Sequence, residues 1–234
     1  MTPATTTQPD WEAIRSVVFD IDGTLYDQRP LRRRMLRELG RHGLSHPIQT
    51  PSLLRIIHAF RSERERLAEA NEPGISDLQF ERPAARLGIP RARVEAIAKE
   101  WIEERPLPFL RGCRFSGVLP LFSKLQAVEI RIGVLSDYPA TPKLEALGLE
   151  ANAVLSAVDP EVDRLKPHPK GLEILLERLD TAPEHALFIG DRDDRDGVCA
   201  RRVGVPFLLK TSAESTGPGS FSDYRKLLAS LAEL

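Results

Sequence analysis

The 234-residue sequence predicts an α/β fold, in which a parallel β-sheet is flanked by helices and carries an inserted all-helical segment. Short β-branched and apolar runs alternate with amphipathic segments, as expected when buried parallel strands are joined through helices. Residues 29–111 instead show only the three- and four-residue spacing of helices. The predicted organisation is a discontinuous core domain, residues 1–28 and 112–234, interrupted by a helical domain at 29–111.

The first strand is predicted at Ser16–Phe19, because this β-branched run stops at Asp20 and leads into a turn at Gly23. Four periodic segments follow, with Pro or Gly at their borders, and such borders mark helix ends. The four helices are predicted at 30–40, 52–70, 77–87 and 91–104.

From Gly112 onward, short apolar strands alternate with helices. Strands are predicted at 130–135, 153–155, 186–189 and 206–209, and helices at 118–126, 141–147, 169–179, 197–203 and 222–231. The stretch 211–220 is predicted to be a loop. Strand–helix–strand units of this kind have right-handed crossovers and give a parallel sheet covered on both faces.

The composition is that of a soluble globular protein, with 41% hydrophobic residues, 29% charged residues and a net charge of -1. Disordered, fibrous and nucleic-acid-coating classes are therefore excluded. No run approaches the roughly 20 apolar residues of a membrane span, and segment 1–16 lacks the apolar stretch of a signal peptide, so a cytoplasmic location is expected. Cys113 and Cys199 are too few for a disulfide framework or a cysteine metal site, and buried free thiols are expected.

Charge is distributed unevenly along the chain. Residues 29–114 carry 18 Lys and Arg against 11 Asp and Glu, whereas the remainder is acidic. A basic segment next to an acidic core can guide an anionic substrate to a metal site. It can equally consist of solvated helix faces with i,i+4 pairs, for which Arg61 and Glu65 are candidates.

Polar residues directly follow the predicted strands. Because the carboxyl ends of parallel strands meet at one edge of a sheet, these residues are expected to form one site. In chain order they are Asp20, Asp22, Ser136, Asp137, Lys166 and Asp191.

These segments resemble the four motifs of the haloacid dehalogenase (HAD) superfamily of phosphohydrolases. Asp20-Ile21-Asp22-Gly23-Thr24 resembles the first motif, Ser136 the second and Lys166 the third, and the stretch 190–196 resembles the fourth. The resemblance implies a Rossmann-like HAD core. It also implies that the insertion at 29–111 is a C1-type helical cap, as in the phosphatase branch that includes phosphoglycolate phosphatases.

The residue types fit phosphoryl transfer. Hard oxygen ligands such as Asp20 and Asp191 suit Mg²⁺, and the resemblance adds the backbone carbonyl of Asp22 as a ligand. Asp20 would also be the nucleophile and form an aspartyl-phosphate. Asp22 would serve as general acid and base, a role that favours a pKa nearer neutrality than that of a free Asp.

Three further residues are expected to hold the phosphoryl group. Ser136 and Asp137 would bind it, and Lys166 would neutralise charge that develops during transfer. The resemblance implies a second acidic residue four positions after Asp191, which here is Arg195, or five positions after it, which here is Asp196. Asp196 is therefore preferred as the residue in the outer shell of the metal or in contact with Lys166.

Asp194 is the alternative to Asp196 in this role. Asp193 and Asp194 can instead be N-terminal helix carboxylates that the helix dipole favours.

The expected function is a Mg²⁺-dependent phosphomonoester hydrolase of a small phosphorylated metabolite. Asp22 disfavours dehalogenation, because the dehalogenases that the chain resembles lack a carboxylate there. Lys99, the single lysine of 29–111 and expected on a surface helix, disfavours the branch that uses a cap lysine as a Schiff base. A phosphomutase and a catalytically idle HAD-fold binding protein remain alternatives.

No nucleic-acid or membrane partner is expected, and the protein is expected to be a monomer or homodimer. The substrate itself is left open. Possible substrate contacts are Tyr26, Asp27, Arg32, Arg33 and Arg55.

Overall fold

The computed structural model describes residues 9–212 and 219–231, and their strands form one six-stranded sheet. The strand order is β3-β2-β1-β4-β5-β6, and every neighbouring pair is parallel. The predicted α/β class with a parallel sheet is thereby confirmed. The strands are β1 (Ser16–Phe19), β2 (Arg131–Ser136), β3 (Ala153–Ser156), β4 (Ala186–Gly190), β5 (Phe207–Lys210) and β6 (Ser220–Phe221).

Helices cover both faces of this sheet. Side chains of β1 alternate between two apolar clusters, with Val17 and Phe19 in one and Val18 in the other, and all three are fully buried. Burial on both faces explains why the strand reads as a continuous apolar run. The first cluster is completed by α6 (Val118–Ala127), α7 (Thr141–Leu147) and α10 (Tyr224–Leu231), and the second by α8 (Lys170–Arg178) and α9 (Val198–Val203).

The inserted residues 29–111 are helical, as predicted. Their helices are α1 (Gln28–Ser45), α2 (Thr50–Ala70), α3 (Ile75–Leu87), α4 (Arg91–Ala98) and α5 (Leu107–Leu110). Helices α2, α3 and α4 and the π-helical turn Lys99–Glu104 build an apolar cluster of their own, which includes Ile56, Phe60, Val94 and Trp101. An inserted domain needs such a core. Among the described helices, none has the length and apolar character needed to cross a membrane.

The first inserted helix is longer than predicted. It begins at Gln28, where the Asp27 carboxylate accepts the Arg29 N–H at 2.8 Å, and it continues past Gly40 to Ser45. Glycine lowers helix propensity by about 1 kcal/mol, which is why the sequence pattern suggested an end near Gly40. Packing of His42 edge-on against Trp101, with ring centroids 5.0 Å apart, holds the additional turn in place.

Other boundaries also shift. The predicted helix 91–104 becomes π-helical from Lys99 to Glu104, and another π-helical turn, Asp193–Gly197, precedes α9. Within the predicted loop 211–220, Ser220 begins the short edge strand β6, and 213–218 lie outside the described residues. Cys113 and Cys199 are buried free thiols, as expected.

Candidate active site

The carboxyl edge of the sheet brings Asp20, Lys166, Asp191 and Asp196 together. Asp20 directly follows β1, and Asp191 directly follows β4. Lys166 Nζ lies 2.6 Å from Asp20 Oδ1 and 2.7 Å from Asp196 Oδ1, and none of these three side chains is more than 8% exposed. One carboxylate oxygen from each of the three aspartates lies within 4.8 Å of the others. One lysine therefore faces three clustered carboxylates.

The clustering raises the pKa of two of these carboxylates. Burial raises the pKa of Asp20 well above its ordinary value, Lys166 opposes this rise, and Asp196 adds to it. Burial and the neighbouring Asp196 also raise the pKa of Asp191 to about 6. Carboxylates that repel one another in this way offer the hard oxygen donors that a divalent cation prefers.

Gly23 allows the first and fourth motifs to approach each other closely. Its φ is +95°, a conformation that favours glycine, and a Cβ atom at this position would overlap the Asp191 carboxylate. The turn that follows Asp22 therefore needs glycine both for its backbone conformation and for the space beside Asp191.

The π-helical turn Asp193–Gly197 decides how the fourth-motif carboxylates are placed. Asp196 is 2% exposed, contacts Lys166 and accepts the Arg192 N–H at 3.1 Å. Asp194 is 66% exposed and pairs with the Arg192 guanidinium at 2.8 Å. The structure thus puts Asp196, and not Asp194, in contact with Lys166. A π-turn accommodates one residue more than an α-helical turn, in keeping with the spacing of five from Asp191.

Asp22 is bound by a residue that the sequence analysis did not select. Lys143 Nζ lies 2.7 Å from Asp22 Oδ1 and 2.5 Å from Oδ2, and the Tyr26 hydroxyl also donates to Oδ1. Burial raises the pKa of Asp22, but the charge and hydrogen bonds of Lys143 and the hydroxyl of Tyr26 outweigh it and hold the pKa below its ordinary value. The prediction that the pKa of Asp22 is raised toward neutral pH is therefore wrong for this arrangement. The nearest charged neighbour of Asp22 is a lysine and not a carboxylate.

A positional signal could have identified Lys143. It lies in the first turn of α7, the helix that follows β2, and the first turn of such a helix starts at the carboxyl edge of the sheet.

Ser136 and Asp137 lie at the end of β2, but their side chains make protein contacts. Ser136 Oγ accepts the Tyr138 N–H at 3.2 Å, and Ser136 does not line the cavity described below. An Asp137 carboxylate oxygen accepts the Lys166 N–H at 3.0 Å. The Asp137 carboxylate thus holds the loop that carries Lys166, and phosphate binding by Ser136 and Asp137 stays a prediction.

Two buried arginines join the helical insertion to this edge of the sheet. Arg64 of α2 donates to the carbonyl of Asp137, and its guanidinium lies 4.1 Å from the centre of the Tyr138 ring. Arg195 pairs with Glu65 of α2 at 2.6 Å. The candidate pair between Arg61 and Glu65 is absent from the described part of the chain, because Glu65 faces the fourth motif instead.

A cavity of 1120 Å³ opens between this edge and the inserted helices. Of the possible substrate contacts, Tyr26, Asp27 and Arg32 line it, whereas Arg33 and Arg55 are exposed elsewhere. Lys99 is exposed, as predicted, and lies outside the cavity, with its Nζ 3.7 Å from Glu104 Oε1. Of the predicted site residues, those that line the cavity are Asp20, Asp22, Asp137, Lys166, Asp191 and Asp196.

Comparison with known proteins places this site in a family. A model of haloacid dehalogenase-like hydrolases matches residues 14–204. Glyceraldehyde 3-phosphate phosphatase of Methanopyrus kandleri is 27% identical over 199 residues, which are 82% of each chain. Phosphoglycolate phosphatase of Rhodospirillum rubrum is 28% identical over 216 residues, 87% of this chain and 82% of that protein. A HAD phosphatase from Thermococcus onnurineus has the same fold, with a TM-score of 0.64 and 19% identity over 93% of this chain and 98% of its own. Since the family model matches most of the chain, the protein belongs to the haloacid dehalogenase-like hydrolases.

Proposed function

We propose that the protein is a Mg²⁺-dependent phosphomonoester hydrolase that acts on a small phosphorylated metabolite through an aspartyl-phosphate. The observation that carries the proposal is the cluster of Asp20, Asp191 and Asp196 around Lys166 at the cavity, with Asp22 two residues after Asp20. A carboxylate can attack an anionic phosphate only where positive charge offsets the repulsion. Relatives named as phosphatases support the phosphatase activity.

The donor set suits a divalent cation. The carboxylates of Asp20 and Asp191 and the backbone carbonyl of Asp22 would hold Mg²⁺, and Asp196 would remain with Lys166. The fit rests on carboxylate oxygens within 4.8 Å of one another and on the raised pKa of Asp191. When bound, the cation supplies the positive charge that lets an anionic nucleophile approach the phosphoryl group.

The side chains account for both chemical steps. An Asp20 carboxylate oxygen attacks phosphorus, the bond from phosphorus to the leaving oxygen breaks, and the alcohol leaves with a proton from Asp22. Asp22 then takes a proton from water, the water oxygen attacks phosphorus, and phosphate departs as the Asp20 carboxylate is restored. Lys166 offsets negative charge throughout. The Lys143 ammonium group lowers the pKa of Asp22 and favours its carboxylate form, so Asp22 has to leave Lys143 and take up a proton from solvent before it can act as the acid.

The helical insertion would act as a cap. Glu65 of α2 pairs with Arg195 of the fourth motif, and Arg195 also donates to the backbone carbonyl of Lys166. Movement of α2 would therefore shift the residues around Lys166. Closure about the connections 27–29 and 111–114 would exclude water during phosphoryl transfer. The division into core and cap, a cytoplasmic location and a monomeric or homodimeric state all stay predictions.

Hydrolysis of p-nitrophenyl phosphate tests the proposal. Activity should require Mg²⁺ and disappear in excess chelator. Asp20→Asn should abolish turnover, and Asp22→Asn should slow it by roughly 10² to 10⁴, the usual contribution of general acid–base catalysis. The matched control is Asp194→Asn, because this exposed carboxylate contacts Arg192 and Arg195 but not Lys166, and it should leave turnover near the wild-type value.

Trapping the intermediate identifies the nucleophile. Intact-protein mass after an acid quench should reveal a phosphorylated adduct in Asp22→Asn that maps to Asp20. An adduct in Asp20→Asn, or full turnover in chelator, would contradict the mechanism. Transfer of the phosphoryl group to a sugar phosphate instead of water would indicate a phosphomutase, and absence of any turnover would indicate an idle binding protein.

A further inference from the structure

The cavity has an apolar side that the proposed chemistry does not use. We define the apolar wall as Leu36, Leu39, Leu54, Ile57, Trp101 and Ile102, which line the cavity from α1, α2 and the π-helical turn after α4. The carboxylates and Lys166 lie at the sheet edge of the same cavity. Apolar and catalytic surfaces are therefore continuous.

Two residues of the apolar wall are unusually exposed. Leu36 is 65% exposed and Leu54 is 45% exposed, and both are among the large hydrophobic side chains that are exposed in the described residues. A contiguous exposed apolar patch beside polar groups is typical of a binding site.

The buried cations of the cavity already have protein partners. Lys143 is bound to Asp22, Arg195 to Glu65, and Arg64 to Gln79 and the carbonyl of Asp137. Lys143 and Arg195 are thus paired with carboxylates, whereas Arg64 contacts neutral groups and Arg29, Arg32, Arg61 and Lys210 also line the cavity, so its polar side does not by itself select the leaving group. The cavity of 1120 Å³ also exceeds the roughly 300 to 1,000 Å³ typical of pockets for drug-sized ligands.

We propose that the apolar wall binds an aliphatic or aromatic leaving group, so that the preferred substrates are phosphomonoesters of apolar alcohols. The inference rests on the proposed phosphatase function. In-line attack by Asp20 directs the leaving oxygen away from the nucleophile and into the cavity, where the alcohol meets the wall. Burial of each methylene against the wall then stabilises the transition state relative to free substrate.

A series of n-alkyl phosphates from ethyl to octyl isolates this contribution, because the leaving alcohols have nearly the same pKa. Wild-type kcat/KM, measured by phosphate release, should rise about twofold to fourfold per methylene up to hexyl, since full burial of a methylene corresponds to about fourfold. Hexyl phosphate should also exceed phosphoglycolate. Leu36→Gln and Leu54→Gln should reduce the ratio of hexyl to ethyl kcat/KM by about fivefold or more.

Matched controls are available for both variants. Leu44 is 87% exposed on α1 and Leu119 is 41% exposed on α6, and both lie outside the cavity lining. Leu44→Gln and Leu119→Gln should keep the wild-type ratio.

The alkyl phosphate series and p-nitrophenyl phosphate together separate failure of the inference from failure of the proposed function. A flat alkyl series, or preference for phosphoglycolate, with Mg²⁺-dependent p-nitrophenyl phosphatase activity intact, overturns the inference and leaves the proposed function standing. Absence of turnover with every phosphate, including p-nitrophenyl phosphate, overturns the proposed function itself. A flat series together with a dimer that Leu36→Gln dissociates in sedimentation would assign the wall to a second copy of the chain, and would likewise overturn the inference.

Discussion

Replacing Lys166 with methionine tests whether this lysine holds the acidic cluster together. The Lys166 ammonium group lies 2.6 Å from Asp20 and 2.7 Å from Asp196, and all three side chains are nearly inaccessible. Lys166→Met keeps most of the side-chain volume and removes the charge. Two buried carboxylates then lose their cation while Asp191 remains nearby.

The magnitude follows from the burial of these groups. Removing one partner of a buried ion pair costs about 3 to 5 kcal/mol. Lys166→Met leaves two buried carboxylates without a cation, but Asp20, whose pKa is already raised, can take up a proton and so limits the destabilisation. We therefore expect the free energy of unfolding at pH 7 to fall by an amount within this range. At about 2 to 4 °C per kcal/mol for a chain of this length, Tm should fall by roughly 6 to 20 °C.

Thermal unfolding of the metal-free protein measures this loss. Lowering the pH should narrow the gap between variant and wild type, because carboxylates whose folded-state pKa is raised destabilise the fold when ionised and stop doing so as they take up protons. Excess Mg²⁺ should also recover part of the loss, since the cation binds the folded state.

The control is Lys99→Met, whose side chain is 69% exposed and 3.7 Å from Glu104. Such a surface pair contributes about 0 to 1 kcal/mol, so the Tm of this variant should stay within a few degrees of wild type. A well-folded Lys166→Met protein with a Tm as close to wild type as that of Lys99→Met would refute the reasoning.

Three further predictions follow from the site. Because the pKa of Asp191 is raised to about 6, protons compete with the metal below that pH, and Mg²⁺ affinity by calorimetry should fall by up to about tenfold per pH unit; constant affinity between pH 7 and 5 would count against Asp191 as a ligand. Lys143→Met should raise the pKa of Asp22, since burial then acts without the lysine, and an unchanged carboxyl titration by NMR would contradict the assigned cause. Mg²⁺ with a metal fluoride as phosphate mimic should slow hydrogen exchange at 27–29 and 111–114, and equal exchange at saturating ligand would argue against closure of the cap.

The sequence by itself determined the parallel sheet and most of the residues that meet at its edge. Strand β1 has the predicted bounds, and Asp20 and Asp191 follow their strands as expected. Such information is local, because a buried parallel strand reads as an apolar run and the position after it lies at the carboxyl edge. The preference for Asp196 over Asp194 came from the motif spacing of the family that the chain resembles, and the π-helical turn places Asp196 at Lys166.

Only the tertiary structure decided which distant side chains face one another. Lys143 contacts Asp22 across 121 positions of sequence and reverses the expected direction of its pKa shift. Glu65 is bound by Arg195 rather than by Arg61, its neighbour one helical turn away. Each contact depends on how one helix docks against the rest of the fold, a geometry set by many small packing contacts and by no single local motif. The apolar wall has the same origin, because helical periodicity predicts an apolar face but not whether that face packs against protein or lines a cavity.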